Sequence, residues 1–143
     1  ADWQRVLATV LDGAFLCTQA CLPHLAGRGA GAVVNIGGMT AHNGATGRAH
    51  VVTAKAGLVG LTRALALELA PQGVTVNCVV PGTIETVRGL PGAPERPVHR
   101  RGLPPLGRRG EPEEVAAAVR FLCGPGARYI TGQSLHVNGC GFM

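Results

Sequence analysis

Lysine is almost missing from this chain: of 143 residues and thirteen basic side chains, Lys55 is the only lysine and the rest are arginine. Aromatic residues are scarce too, at 3%. Binding single-stranded nucleic acid takes basic groups interleaved with rings on which bases stack. Here the net charge of +5 is concentrated differently. Arg96, Arg100, Arg101, Arg108 and Arg109 crowd into one Pro-rich stretch with no ring nearby, which reads as a solvated or anion-facing loop, so no nucleic-acid partner is expected. There is no Cys-x-x-Cys pair among Cys17, Cys21, Cys78, Cys123 and Cys140. Their odd number and wide spacing predict buried free thiols in a reducing compartment, with Cys17 and Cys21 facing the core, and no metal site. Apolar stretches are broken by Gly, Arg or Pro before the roughly 18 residues of a membrane span, and no basic-then-apolar leader opens the chain. A soluble, cytoplasmic chain without a membrane partner is the expectation. With 46% hydrophobic and 15% charged residues, disorder is excluded.

What is present is a regular alternation of two periods. From Asp2 to about Ala26, apolar residues at three- and four-residue steps (Val6, Val10, Ala14, Leu22) predict one long amphipathic helix with Asp2 capping its first turn. Ala32-Val33-Val34-Asn35-Ile36, bounded by glycines, reads as a buried parallel strand. Gly37 to Gly47 reads as a polar loop, and Arg48 to Ala70 as a second long helix carrying Leu58, Leu61, Leu65 and Leu69. A second strand, 74–80, follows Pro71-Gln72-Gly73. The unperiodic stretch from Pro81 to Gly110 is long enough to be functional. Glu111-Pro112-Glu113-Glu114 opens a third helix to about Cys123, and 134–137 is a last strand. This order predicts an α/β layer with parallel strands.

Several segments, taken in order, resemble the short-chain dehydrogenases/reductases. They are Gly31-Ala32-Val33-Val34-Asn35-Ile36, then Thr53-Ala54-Lys55-Ala56-Gly57-Leu58-Val59-Gly60-Leu61-Thr62-Arg63, then Val79-Val80-Pro81-Gly82-Thr83-Ile84-Glu85-Thr86, and finally Tyr129-Ile130-Thr131-Gly132-Gln133 with Val137-Asn138-Gly139. The resemblance covers essentially the whole chain. It implies a Rossmann-like doubly wound parallel sheet, of which residues 1–143 would be the C-terminal portion: three strands with long flanking helices, and a substrate-side loop at 87–110. A dinucleotide site also needs a Gly-rich turn between a strand and a helix. Gly27, Gly29 and Gly31 precede a strand instead, so a truncated chain is expected that does not bind NAD or NADP by itself.

The same resemblance implies a catalytic set, and here the sequence departs from it. Family members pair a Tyr with a Lys four residues later, the Tyr acting as general acid/base and the Lys binding the nicotinamide ribose and lowering the Tyr pKa. Lys55 matches, but Val51 stands at the Tyr position, Gly38 at that of the substrate-binding Ser, and Val10 at that of the supporting Asn. Either the chain is a catalytically silent dinucleotide-binding or scaffold relative, or other groups substitute. Thr40 would point like residue 38 if the strand stayed extended, and His42 has a pKa suited to proton transfer. Arg48 lies nearly on the face of Lys55, whereas His50 is turned away from it.

Pro81 and Gly82 match the turn against which the nicotinamide packs, and the backbone of Ile84 with Thr86 matches groups that bind the carboxamide and nearby phosphate. The activity implied is hydride transfer between NAD or NADP and a small-molecule carbonyl or alcohol, of 3-oxoacyl type. The partner implied is a second copy of the intact protein, in a homodimer or homotetramer built on the two long helices and the last strand.

Overall fold

The computed structural model describes residues 2–27, 29–86 and 102–143. Three parallel strands form one sheet in the order β1 (Gly31–Ile36), β2 (Val74–Pro81), β3 (Ser134–Val137). Gly31 pairs with Val74 and Ile36 with Val79 along one edge of β2, and Cys78 pairs with Ser134 and Pro81 with Val137 along the other. The second strand runs one residue beyond the expected 74–80, because a proline closing a strand gives up only one donor.

Side-chain alternation along β2 divides two cores. Val74 and Val76 join Val33 of β1 against Leu65, Ala66 and Leu69 of α4 (Ala49–Leu69), with Leu22 and Leu25 of α2 (Gly13–Leu25) beside them. On the opposite face Val79 packs with Val34, Val137 and Leu122, the last from α5 (Pro112–Cys123). Helices therefore cover both faces, the doubly wound arrangement expected. The sheet's irregular flank is tied down by polar side chains. Asn77 donates 2.8 Å to the Ile130 carbonyl and accepts from the Gln133 N–H at 3.0 Å, while Val76 N–H donates 3.0 Å to Thr131 Oγ1.

The first helix is not unbroken. It runs as α1 (Asp2–Leu7), a π-helical turn (Ala8–Asp12) and α2, with Gly13 N–H donating back to Ala8 O across the wider turn. Asp2 lies inside the first turn and is paired with Arg5 at 2.9 Å, so it does not act as the cap. Cys17 and Cys21 are exposed, as are Cys123 and Cys140; of the five thiols only Cys78 is buried. The residue of α2 that faces inward is Thr18, whose hydroxyl is satisfied by Ala14 O at 2.8 Å.

Asp2–Leu25 is also long and apolar enough to cross a membrane by length and composition, with mean hydropathy 1.5 over 18 residues. By length and composition this helix therefore departs from the expectation that Gly, Arg or Pro breaks every apolar stretch short of a span. Here the helix rests against α4, where Gly57 leaves room for Leu11.

Gly37 to Gly47 is not all loop: Thr40–Asn43 forms a short helix, α3. Its His42 ring lies 4.8 Å from His136 of β3 and stacks on Phe142 at 5.4 Å, and His136 lies 5.7 Å from Phe142. His136 thus joins a three-ring cluster that holds the C-terminal residues. In each histidine one ring nitrogen is buried without a hydrogen-bond partner among the described residues.

Most of the 87–110 loop lies outside the described residues, including Arg96, Arg100 and Arg101. Its described end is stitched to β2's exit: Gly110 N–H donates to Thr83 O at 3.0 Å and Glu85 N–H to Gly110 O at 2.8 Å. Arg109 pairs with Glu85 at 3.0 Å and Arg108 with Glu114 at 2.7 Å, so the anions that these two arginines of the solvated or anion-facing loop meet are carboxylates of the chain itself. Glu114 also closes a capping box with Glu111 at the start of α5. Arg108's hydrogen bonds, and then the Glu111 N–H, hold the Glu114 carboxyl down to about 2.

Two measurements follow. A methyl group at Gly82 would stand 2.6 Å from Asn138 Cα, backbone that cannot step aside, whereas one at Gly60 meets nothing within 4 Å. Gly82→Ala should cost about 1–3 kcal/mol and Gly60→Ala should gain about 0.5–1 kcal/mol in urea unfolding; equal midpoints would mean that the Gly82–Asn138 approach does not constrain the fold.

Burial first, and His42 second, hold His136 below the ordinary imidazole value of about 6.5. Above that pH both folded and unfolded chains carry the neutral ring. Below it the unfolded chain takes up the proton first, so stability should fall as pH drops from about 6.5 toward the lower folded value. Thermal melts of wild type and His136→Leu across that window should show the slope in the wild type and a shallower one in the variant. Parallel profiles would remove His136 as the source.

Candidate functional site

The C-terminal ends of β1 and β2 and the N-terminal half of α4 converge. At the end of β1, Gly37 continues the ladder by donating to Val79 O at 2.8 Å. It sits so close to β2 that a methyl on it would stand 2.7 Å from Cys78 Sγ. From α4, Lys55 reaches across and donates from Nζ to Ile36 O at 2.6 Å. Its stem lies along Gly38, where an added Cβ would be 3.8 Å from Lys55 Cγ and Cδ, an ordinary contact. The structure therefore places Lys55 against the position that the sequence matches to the substrate-binding Ser, and that position has room for a side chain.

Burial lowers the Lys55 pKa, opposed by the nearby Cys78. The Cys78 thiol is pushed up by its own burial, against the Gly37 N–H and Lys55. Burial thus acts against the charge of each group.

The remaining positions separate into those brought to this point and those placed elsewhere. Val51, half-buried, lies one turn before Lys55 on α4, and Val10 lies within the π-helical turn of the first helix. Neither carries a polar side-chain atom. The condition that would aim Thr40 like residue 38 is not met: Met39 has φ −52 and ψ −31, and Thr40 begins α3. His42 packs on His136 and Phe142.

At the exit of β2, Gly82 N–H donates to Val137 O at 2.9 Å, and its missing Cβ is demanded by Asn138. Gly82 thus has a packing role whatever else it does. Ile84 bridges Gly110 in parallel, and the two bonds of that bridge use the carbonyl of Thr83 and the N–H of Glu85. In such a bridge the N–H and C=O of Ile84 itself point to the other side. They are the backbone pair the sequence matches to a carboxamide contact. Thr86 follows on the same exposed stretch.

Between these segments lies a cavity of about 290 Å³ lined by Met39, Thr83, Leu103, Pro104, Asn138 and Cys140. The sequence singled out none of these six as a site residue. The only signal that could have found them is adjacency, since Met39 follows Gly38 and Thr83 follows Gly82. Among the described residues no group of three or more His, Cys, Asp or Glu is arranged to hold a metal ion.

Comparison with known proteins agrees with this geometry. A family model described as enoyl-(acyl carrier protein) reductase matches residues 1–142. The chain is 46% identical over 138 residues to 3-oxoacyl-[acyl-carrier-protein] reductase FabG of Aquifex aeolicus, covering 96% of this chain and 56% of that protein. It is 39% identical over 142 residues to the protein of the same name from Vibrio cholerae, covering 99% and 58%. Among solved structures it resembles a short-chain dehydrogenase/reductase, glucose/ribitol dehydrogenase, of Brucella melitensis (TM-score 0.83, 36% identity, 100% of this chain and 56% of that one). It also resembles acetoin dehydrogenase YohF of Salmonella typhimurium (TM-score 0.80, 34% identity, 97% and 54%). The chain spans a little over half the length of the relatives it matches. With the family match covering residues 1–142 and a parallel sheet flanked by helices, the chain belongs to the short-chain dehydrogenases/reductases.

Proposed function

We propose that this chain forms the nicotinamide side of an NAD(P)-dependent oxidoreductase that interconverts a carbonyl and an alcohol, with 3-oxoacyl compounds as its substrate class. The observation that carries the reading is Lys55, held 2.6 Å from Ile36 O beside an open Gly38. The substrate class is supported by the names of the Aquifex and Vibrio relatives.

The residues fit a dinucleotide on this side. Lys55 has the stem length and donors for ribose hydroxyls while keeping its bond to Ile36. The Ile84 main chain offers a donor and an acceptor together, as a carboxamide needs, with Thr86 next to it and Pro81 and Gly82 forming the turn below. Bound there, the dinucleotide would supply or accept the hydride. The chain's own task is then to orient the ring, hold the substrate oxygen and move one proton. Gly38, Val51 and Val10 supply no group for the last two tasks, which leaves the Lys55 ammonium as the donor at hand, with Thr40 and His42 as the polar side chains of the adjoining loop. Those same three residues favour a second reading, a catalytically silent dinucleotide-binding relative. Phe15, 43% exposed, and Leu16, 57% exposed, on the first helix extend the proposal to association of the intact protein as a dimer or tetramer.

The test uses a protein in which this chain is joined to a Gly-rich nucleotide-binding segment, and it reads NADPH- and NADH-dependent reduction of an acetoacetyl thioester. Gly38→Ser with Val51→Tyr should raise turnover about 10²–10⁴-fold, the usual worth of a positioned acid/base. A double variant that binds dinucleotide and stays inactive would leave the silent reading standing. If Thr40 or His42 handles the proton, its alanine variant should lose about a hundredfold in turnover at unchanged cofactor affinity.

Calorimetry supplies the cofactor arm. In the joined protein Lys55→Ala should weaken binding by about 1.5–3 kcal/mol, the range for hydrogen bonds from a charged donor. The 143-residue chain alone should give no micromolar complex, since it offers no pyrophosphate cradle.

A further inference from the structure

Cys17 and Cys21 stand four residues apart on α2, and both are free and exposed. Thr18 takes the inward place expected of them, which leaves two thiols as neighbours on the helix surface. Residues four apart on an α-helix hold their Cβ atoms about 5–6 Å apart. A disulfide needs about 3.5–4.5 Å, so these two sulfurs cannot join each other without bending the helix. Two metal–sulfur bonds of about 2.3 Å each, meeting at one ion, do reach across such a gap. The remaining free thiols offer no pair of this kind: Cys78 is buried in β2, Cys123 ends α5, and Cys140 follows β3. The number of ligands then decides which ion fits. Among the described residues no group of three or more His, Cys, Asp or Glu is arranged to hold a metal, whereas structural zinc takes four ligands. Two thiolates without a third protein ligand suit a soft ion that accepts near-linear two-coordination, and Cu(I) is the soft ion that thiolates select.

We propose that Cys17 and Cys21 form a two-thiolate site for Cu(I). Each thiol gives its proton to solvent, each sulfur donates a lone pair to the ion, and the product is a bis-thiolate complex with one negative charge. One Cu(I) and two thiols give one complex and two protons, and the copper stays in the same oxidation state throughout. Because both sulfurs belong to one helix, the second bond forms within the molecule, and the pair should hold the ion about 10²–10⁴-fold more tightly than a single thiol does. The helix that carries them is itself fixed: Leu22 and Leu25 pack on the core, and the Thr18 hydroxyl bonds back to Ala14 O at 2.8 Å. Lys55, Ile84 and the exits of the strands take no part in the step. Its failure would leave the oxidoreductase reading intact, and failure of that reading would leave this one intact.

The test titrates the 143-residue chain without oxygen, with Cu(I) supplied as its bicinchoninate complex, so that loss of the chelate's colour reports transfer to the protein. Cys17→Ser and Cys21→Ser should each weaken binding by about 10²–10⁴-fold, and changing both should add little to either alone, as for two ligands of one ion. Cys123→Ser and Cys140→Ser should leave the affinity unchanged. In the wild type, one equivalent of Cu(I) should shield Cys17 and Cys21 from iodoacetamide while Cys123 and Cys140 are still alkylated, as peptide mass mapping reads directly. A loss of less than about tenfold in both Cys17→Ser and Cys21→Ser, shielding that falls on Cys123 or Cys140, or copper that links chains instead of binding within one would each overturn the proposal. Both thiols are exposed, so serine leaves the core alone; should a variant nonetheless not fold, the shielding map of the wild type decides.

Discussion

Strand β2 has a neighbour on both edges and a helical layer on both faces, so water can satisfy none of its backbone polar groups along the paired length. Val74, Val76, Cys78, Val79 and Val80 are all at most 1% exposed. That burial decides what the neighbouring segments do. Asn77, in the middle of the run and equally buried, is tolerable only because residues 130–133 bring it a carbonyl and an N–H. Asn35 on β1 meets the same demand by donating 2.9 Å to Thr62 of α4, whose hydroxyl in turn donates to Leu58 O. A buried polar group left unpaired costs about 1–3 kcal/mol, so each of these pairs fixes a loop or a helix relative to the sheet.

The site is a consequence of where that burial ends. Past Ile36 and Pro81 one further backbone bond extends each ladder, Gly37 to Val79 and Gly82 to Val137, and both residues that make it are glycines packed closely, Gly37 against Cys78 and Gly82 against Asn138. Each lets the backbone pass closer than a side chain would permit. The carbonyl of Ile36 is available because, with Gly37 bonding Val79, it points to the edge of β1 away from β2, and the polar main chain of Ile84 is available because its bridge to Gly110 uses the neighbouring Thr83 and Glu85. A Lys from the covering helix then finds an acceptor at the rim of the core and avoids a place inside it.

How much of this was legible in the sequence depends on whether the signal was local. The three strands were, since β-branched runs between glycines have few other readings, and so was α4, whose leucine stripe is long and ends at Gly73 with φ 73. The π-helical turn at Ala8–Asp12 was not, because apolar residues spaced three and four apart fit an α-helix with or without one extra residue in a turn. The inward stripe of α2 was misread for a related reason. Thr18 rather than Cys17 or Cys21 faces the core, and a hydroxyl that bonds back to Ala14 O behaves as an apolar group once satisfied. Lys55 was legible by its match to a family motif, but its bond to Ile36 was not, nor was the meeting of His42 with His136, because both depend on parallel pairing of strands far apart in the chain.

Nothing in the packing demands an amine at residue 55. The methylenes along Gly38 would be matched by any unbranched apolar side chain, and partial burial of Nζ disfavours its charge. The bond to Ile36 O offsets that penalty without removing it, since a hydrogen bond exchanged for one to water returns only about 0.5–1.5 kcal/mol. Gly37 and Gly82, by contrast, answer to the fold, each having a close neighbour that excludes a side chain. Gly38 and Val51 answer to neither demand: the first has space around it, and the second is a half-buried apolar residue on a helix. Side chains at those two positions can therefore change without disturbing the sheet.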